Sequence, residues 1–283
     1  MQPIGGWFLH LCIKAWHEGW LMMSGRRPAP WLFLIGTVLW TWIFLSLTLL
    51  TGQSYLQFPT VLLSLAGGLG PLFISLGLIK MGYWDESLDR GPGKFLRRVF
   101  NPFTLKARWY LYVILLIILL RALPVLIEGS VFDGALFDIG TPIFMLIGVL
   151  IGGMEEIGWR AYALEGLQRK MPIVLASLII GVFWAAWHLP LFYMEGTYQA
   201  QLGTGAVLLF SMNIIVGSPI YAWLYNACGR VAFVAVFYHA IGNLSGEIFT
   251  GASPFNLIVE AAVMVLLVGL SWRWMRKPAP LQD

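Results

Sequence analysis

Long, uninterrupted apolar runs constrain the fold of this chain more than any other feature. Eight stretches of about 20 mostly apolar residues recur along the sequence, and this is the length that an α-helix needs to cross a bilayer. In hydrocarbon each segment must hydrogen-bond its own backbone, and the runs are too long and too uniform for barrel strands. We therefore predict an all-α polytopic membrane protein. The predicted spans lie near residues 31–50, 60–80, 109–128, 139–160, 172–193, 204–226, 230–250 and 253–274.

The composition excludes a soluble domain. Hydrophobic residues make up 59% of the chain and charged residues 11%, whereas soluble domains average about 25% charged residues. The sequence contains no internal repeat, and we expect one membrane domain over residues 1–283. Residues 1–30 are predicted to form an interfacial N-terminal segment, and no cleavable signal peptide is evident. Spans four to seven, within residues 140–250, are predicted to enclose a polar intramembrane cavity.

The basic residues indicate how the chain is oriented. Of the 18 Lys and Arg residues, all but Arg121 lie in segments that an eight-span topology places on the same side of the membrane. Positive loops accumulate on the cytoplasmic side, so both termini are predicted to be cytoplasmic. The net charge of +4 follows from this topology and does not indicate nucleic-acid binding. The compact chain favours a prokaryotic cell membrane.

Two adjacent glutamates interrupt the fourth apolar run. Glu155 and Glu156 would each cost several kcal/mol in hydrocarbon unless they were paired or functional. Glu156 and Arg160 have the i,i+4 spacing, with the acid first, that favours an ion pair. We therefore predict a structural role for Glu156 and a chemical role for Glu155. The preceding Gly152-Gly153 pair is predicted to permit close helix approach.

Two later apolar runs carry histidines, His188 and His239, and Asn243 follows His239 by one helical turn. A lone membrane histidine can simply hydrogen-bond a backbone carbonyl. A carboxylate and a histidine can also deprotonate water, while a second histidine and an amide stabilise an oxyanion. Alternatively, Glu155, His188 and His239 are a possible zinc ligand set with one position left for water. The residue pattern leaves zinc open, although the pairing of His239 with Asn243 favours an oxyanion site without metal.

Three motifs on separate predicted spans together resemble the CPBP family of membrane proteins. This family contains type II CAAX prenyl endopeptidases and bacteriocin-processing and self-immunity proteins. The resemblance covers residues 140–250. Its motifs are Glu155-Glu156-x-x-x-Arg160, an aromatic residue one turn before His188, and His239-x-x-x-Asn243.

The resemblance implies an intramembrane endopeptidase and a role for each motif residue. It implies that Glu155 activates the attacking water with help from His188, and that His239 and Asn243 form the oxyanion site. Family members have been described both as metalloproteases and as metal-independent glutamate proteases, so membership does not decide whether zinc is used.

The resemblance also implies supporting residues. Glu156 and Arg160 would brace the first motif. The family usually has Phe one turn before the first histidine, and this chain has Trp184 there. An aromatic wall is retained, and we expect a differently shaped pocket.

The function predicted from the sequence is hydrolysis of a peptide bond in a membrane-associated substrate. A prenylated CAAX tail and a leader peptide both remain open as the substrate. The expected partners are this substrate and the lipid bilayer, and no nucleic acid. The alternatives are a non-catalytic scaffold or bacteriocin self-immunity protein and, less favoured, a transporter, which would more typically contain inverted repeats.

Overall fold

The computed structural model describes residues 28–84, 91–128, 151–248 and 254–279. Within these ranges the secondary structure is helical, without strands, which confirms the all-α prediction. The predicted interfacial segment, residues 1–30, lies almost entirely outside the described residues, as does much of the predicted fourth span.

The helices are numbered in chain order, with α6 taken from the first described residue after 150. Helix α6 is α-helical over 151–158, π-helical over Trp159–Leu164 and α-helical again over Glu165–Leu167. Short 3-10 turns follow α4, α7 and α8 at Pro102–Thr104, Leu189–Tyr193 and Thr204–Ala206. The other helices are α1 Pro30–Leu50, α2 Thr60–Gly68, α3 Gly70–Lys80, α4 Pro92–Val99, α5 Ala107–Glu128, α7 Ile173–His188, α8 Tyr198–Leu202, α9 Val207–Ala227, α10 Phe233–Ile248, α11 Pro254–Leu270 and α12 Trp272–Met275.

Several helices are suited to crossing a bilayer. Among the described residues, Pro30–Leu50, Ile173–Tyr193 and Thr204–Ala227 are long and apolar enough to span. Helices α2 and α3 qualify together as one broken span, bent by 59°, so up to four such spans are described. The protein is an integral membrane protein, and the total of eight spans stays a prediction.

The bend between α2 and α3 is satisfied by side chains of α1. Trp40 Nε1 donates to the carbonyl of Ala66 at 2.8 Å, and Thr41 Oγ1 donates to the carbonyl of Gly67 at 2.7 Å. The bend leaves these carbonyls without helical partners, and a membrane interior contains no water to bond them. The side chains of α1 supply the missing donors. Trp187 of α7 donates to the same Thr41 hydroxyl at 2.7 Å. The first two spans therefore support α7 close to His188.

Helices α7 and α9 approach closely at a glycine. A Cβ at Gly181 would lie 2.9 Å from the Cα of Ile215 and 3.0 Å from the Cβ of Ser218. One turn away, the Ser218 hydroxyl donates to the carbonyl of Ser177 at 2.7 Å. Small residues commonly permit such contacts between membrane helices. This contact aligns α7 and α9 beside the polar residues of α6.

Candidate active site

The two adjacent glutamates lie on α6, directly before its π-helical segment. Short π-helical segments within α-helices are often found at functional sites. Glu156 is fully buried, whereas Glu155 keeps 8% of its surface exposed. Successive helical side chains diverge by about 100°, so the two carboxylates have different neighbours.

Glu156 joins Arg160 to His239. Its Oε1 lies 2.8 Å from His239 Nδ1, and its Oε2 lies 3.3 Å from Arg160 Nε. The ion pair predicted from the i,i+4 spacing is therefore present. The Arg160 N–H does not point at the carboxylate well enough for a hydrogen bond, so charge attraction is the main contribution. The histidine contact, across 83 residues of sequence, was not predicted.

Arg160 lies between two aromatic rings. Its guanidinium carbon is 4.9 Å from the ring centre of Trp184 and 4.5 Å from that of Tyr221. Arg160 Nη2 also donates to Ser218 Oγ at 3.3 Å. Cation–π contacts of this kind gain strength when the cation is desolvated. They hold a buried arginine in place beside Glu156.

Trp184 lies at the centre of the site. Its indole Nε1 donates to Glu155 Oε2 at 3.0 Å. Its ring centre is 5.9 Å from that of His188 and 5.4 Å from that of His239. Side chains from α6, α7 and α10 therefore meet around one indole ring, although they are far apart in the sequence.

Hydrogen bonds assign the tautomer of each histidine. His188 Nδ1 lies 2.8 Å from the carbonyl oxygen of Trp184, which can only accept, so Nδ1 carries the proton. His239 Nδ1 faces the Glu156 carboxylate and carries a proton for the same reason. In the neutral form each Nε2 then offers a lone pair. His188 therefore makes the bond to a backbone carbonyl that a purely structural membrane histidine would make. This bond occupies Nδ1 only and leaves Nε2 available.

Asn243 and His239 both face α6 at Gly152. A Cβ at Gly152 would meet the Asn243 amide nitrogen directly and would lie 3.6 Å from His239 Nε2. At Gly153 a Cβ would lie 3.0 Å from the carbonyl oxygen of Val236. The predicted close helix approach is therefore present, and it occurs between α6 and α10. The Asn243 side chain is exposed, so this part of the site is open.

The two histidines have the hydrogen-bonding pattern of zinc ligands, but the site residues are not grouped as a zinc site. A histidine whose Nδ1 donates to a carbonyl or carboxylate and whose Nε2 is free is typical of metal ligands. The arrangement does not fit, because in the described part of the chain no three His, Cys, Asp or Glu residues are grouped as a metal site. Glu155, His188 and His239 all lie in that part. No catalytic step below is therefore assigned to a metal.

Sequence reasoning missed two contributors to the site. Tyr221 and Ser218 of α9 contact Arg160, and both lie in an apolar run with no motif. A buried arginine in a membrane needs polar or aromatic neighbours, so Arg160 alone could have predicted that such partners exist. The sequence gives no indication of which helix supplies them.

The chain is similar to known membrane endopeptidases. Residues 137–245 match the family described as type II CAAX prenyl endopeptidase Rce1-like, and this range includes all three motifs. The chain is also 27% identical over 266 residues to a protein of Methanococcus maripaludis named CAAX prenyl protease 2. That alignment covers 87% of this chain and 94% of the relative.

Proposed function

We propose that this protein, which belongs to the CPBP family of intramembrane proteases, hydrolyses a peptide bond with water activated by Glu155. The main support is the meeting of Glu155, His188 and His239 around Trp184, with one glutamate oxygen left available. Oε2 of Glu155 accepts from Trp184, and the nearby indole of Trp159 makes no well-aligned hydrogen bond to the carboxylate. An ionised carboxylate with an open oxygen can take a proton from water.

In the proposed reaction Glu155 and His188 act on the water. Glu155 accepts a proton from the water as its oxygen attacks the scissile carbonyl carbon. His188 accepts a hydrogen bond from the same water through Nε2, because its Nδ1 is held by the Trp184 carbonyl. The tetrahedral intermediate then collapses, the C–N bond breaks, and the proton on Glu155 passes to the leaving nitrogen.

His239 and Asn243 are proposed to stabilise the oxyanion. The Asn243 amide nitrogen faces α6 beside His239 Nε2, so two polar groups point to one place. His239 can donate there only as an imidazolium, because its other N–H is directed at Glu156. The carboxylate of Glu156 would balance that charge. Donors fixed before the reaction are the main means by which such sites lower barriers.

The proposed substrate is a prenylated protein tail, and the proposed location is a prokaryotic inner membrane with both termini cytoplasmic. The relative named CAAX prenyl protease 2 supports this substrate class. An intramembrane site suits a substrate whose lipid enters between helices while its peptide reaches Glu155. The basic residues Arg169 and Lys170, which follow α6, support entry from the cytoplasmic side.

A cleavage assay of the purified protein in detergent tests the proposal. A farnesylated CAAX peptide, its unprenylated twin and a leader-type peptide are incubated with wild type, Glu155→Ala and Glu195→Ala. Glu195 is exposed and belongs to none of the three motifs, so its variant controls for loss of a carboxylate. We expect wild type and Glu195→Ala to release the tripeptide from the prenylated peptide, and Glu155→Ala to release none. Absence of cleavage by wild type would favour the scaffold or immunity alternative.

A chelator tests the metal-independent form of this proposal. We expect activity to persist after treatment with a strong chelator and removal of free metal. Loss of activity, with recovery on adding one equivalent of zinc, would overturn the metal-independent reaction and make Glu155, His188 and His239 the candidate ligands.

A further inference from the structure

The position of Trp184 suggests a role beyond an aromatic wall. We propose that Trp184 is a positioning residue that orients Glu155 through its indole N–H and His188 through its backbone carbonyl. The proposal rests on the proposed function, since it concerns the two residues assigned to the water. It predicts that this chain, unlike family members with Phe at this position, depends on the indole nitrogen, so that removing that nitrogen alone impairs catalysis.

The indole hydrogen bond has an ordinary length and is shielded from water. Trp184 is 5% exposed and Glu155 is 8% exposed, with 3.0 Å between Nε1 and Oε2. A hydrogen bond to an ionised acceptor is stronger than a neutral one, and a low dielectric strengthens it further. This bond therefore favours the ionised carboxylate and restricts its rotation.

The bond also decides which carboxylate oxygen is available. The indole has one N–H and no acceptor, so it engages Oε2 and leaves Oε1 for the water. A freely rotating carboxylate would present either oxygen in many orientations. Holding a reacting group in one orientation can supply a large part of an enzyme's rate enhancement.

The Trp184 ring is held in turn by its neighbours. Arg160 lies over the ring at 4.9 Å. The ring of Tyr221 meets it edge to face, with 5.3 Å between ring centres. A ring fixed on two sides has few alternative rotamers, so its N–H keeps one direction.

The same residue orients His188 through its main chain. The Trp184 carbonyl lies 2.8 Å from His188 Nδ1 and fixes the tautomer with Nε2 unprotonated. One residue of α7 therefore sets the orientation of both groups that act on the water. Replacing Trp184 by Phe removes the contact to Glu155 and keeps the carbonyl, so the two effects can be separated.

The matched variants are Trp184→Phe and Trp223→Phe. Trp223 of α9 also donates through Nε1 to a side-chain oxygen, that of Ser271, at 2.8 Å. Its hydrogen bond and its ring contact, with Ser271 and Trp109, involve none of the motif residues in the described structure. Both variants lose one indole hydrogen bond and keep an aromatic ring, and they differ in whether the acceptor is Glu155.

We expect Trp184→Phe to lower kcat about tenfold or more, the size typical of a lost hydrogen bond to a charged group. KM should stay within about twofold, and Trp223→Phe should resemble wild type. The acidic limb of kcat/KM should move to higher pH by about one unit, because the ionised carboxylate loses a stabilising donor. An unchanged kcat, or an unmoved acidic limb, would overturn the proposal.

NMR of the indole N–H groups tests the contact without relying on activity. The Trp184 resonance is assigned by its loss in Trp184→Phe and is followed against pH in wild type and Glu155→Gln. We expect a large change of its chemical shift with pH in wild type and a much smaller one in Glu155→Gln, where only the neighbouring rings of His188 and His239 can still change charge. A constant resonance in wild type would overturn the positioning role. A wild type that cleaves no peptide but shows the titration would overturn the proposed function and leave the hydrogen bond established.

Discussion

Two buried glutamates on α6, ten residues apart, have contrasting surroundings. Glu165 is 2% exposed, and both of its oxygens are fully occupied. Oε1 accepts from two arginines at 3.0 and 3.4 Å, and Oε2 accepts from a hydroxyl at 2.9 Å and an amide at 3.1 Å. The four donors are Arg230, Arg169, Tyr225 and Gln168. Glu155, by contrast, accepts one well-formed hydrogen bond among the described residues, from Trp184, and the nearby Trp159 indole is not aligned to donate a second.

The difference separates stabilising carboxylates from reactive ones. A buried carboxylate that is surrounded by donors ties helices together and has no lone pair left for water. Glu165 joins α6 to α9 and to the link before α10 in this way. A carboxylate with one donor and some exposure keeps an oxygen available for a proton. Glu156 is intermediate, since it is fully buried and lies between Arg160 and His239.

The largest effect on activity is expected for Glu155→Gln. The amide keeps an oxygen that accepts from Trp184 and removes the base, so kcat/KM should fall about 10²- to 10⁴-fold or more. The free energy of unfolding should change by less than about 1 kcal/mol. Peptide-cleavage rates and thermal unfolding in detergent measure the two quantities. Substantial remaining activity would remove Glu155 from the chemistry.

Glu156→Gln should reduce activity less and stability more. His239 loses the carboxylate that fixes its orientation, and such outer partners contribute about 10- to 100-fold. Arg160 is left buried without its counter-charge, so unfolding should become easier by about 2–3 kcal/mol. The same two assays apply. Equal losses of activity in the two variants, with no difference in stability, would contradict this division of roles.

Gly152→Ala tests whether Asn243 needs its present position. A Cβ there would displace the Asn243 amide, so we expect kcat/KM to fall about tenfold through loss of an oxyanion donor. Gly77→Ala is the control, because a Cβ at Gly77 meets no atom within 4 Å. The control should keep its activity and gain about 0.5–1 kcal/mol of stability. If both variants kept full activity, the reaction would not need Asn243 at its present position.

Glu165→Gln should reverse the pattern seen at Glu155. The change weakens the contacts of a saturated carboxylate, so the free energy of unfolding should fall by about 2–3 kcal/mol. Activity of the folded protein, measured well below its melting temperature, should stay within about twofold of wild type. A loss of activity without loss of stability would mean that the two glutamates do not differ in role.

The sequence predicts the features that depend on neighbours along the chain. The helical fold, the Glu156–Arg160 pair and the close approach at Gly152-Gly153 all follow from local spacing and apolar length. The bend within the predicted second span was missed, although Gly70-Pro71 marks a helix start. The break is possible because Trp40 and Thr41 of another helix donate hydrogen bonds to the carbonyls that it leaves without helical partners.

Long-range partners were beyond the sequence. The bond between Glu156 and His239 and that between Trp184 and Glu155 join different spans. Helical spacing assigns faces of one helix and does not determine how two helices are rotated against each other. Trp184 was accordingly predicted as a wall of the pocket, and its donor role appears only when α6 and α7 are packed together.

The region around Glu165 and the region around Glu155 should also differ in their access to water. Cys228 lies near the Glu165 cluster, and burial raises the pKa of its thiol to about 11, so at neutral pH it is protonated and unreactive. Asn243 is exposed beside His239. In a Cys12→Ser background, Asn243→Cys should react with a membrane-impermeant thiol reagent while Cys228 stays unlabelled. Entry from the cytoplasm predicts labelling in inside-out vesicles and none in right-side-out vesicles. Labelling from the outer face would reverse the entry route and direct the substrate search to secreted peptides, because a prenylated cytosolic tail could not then reach Glu155.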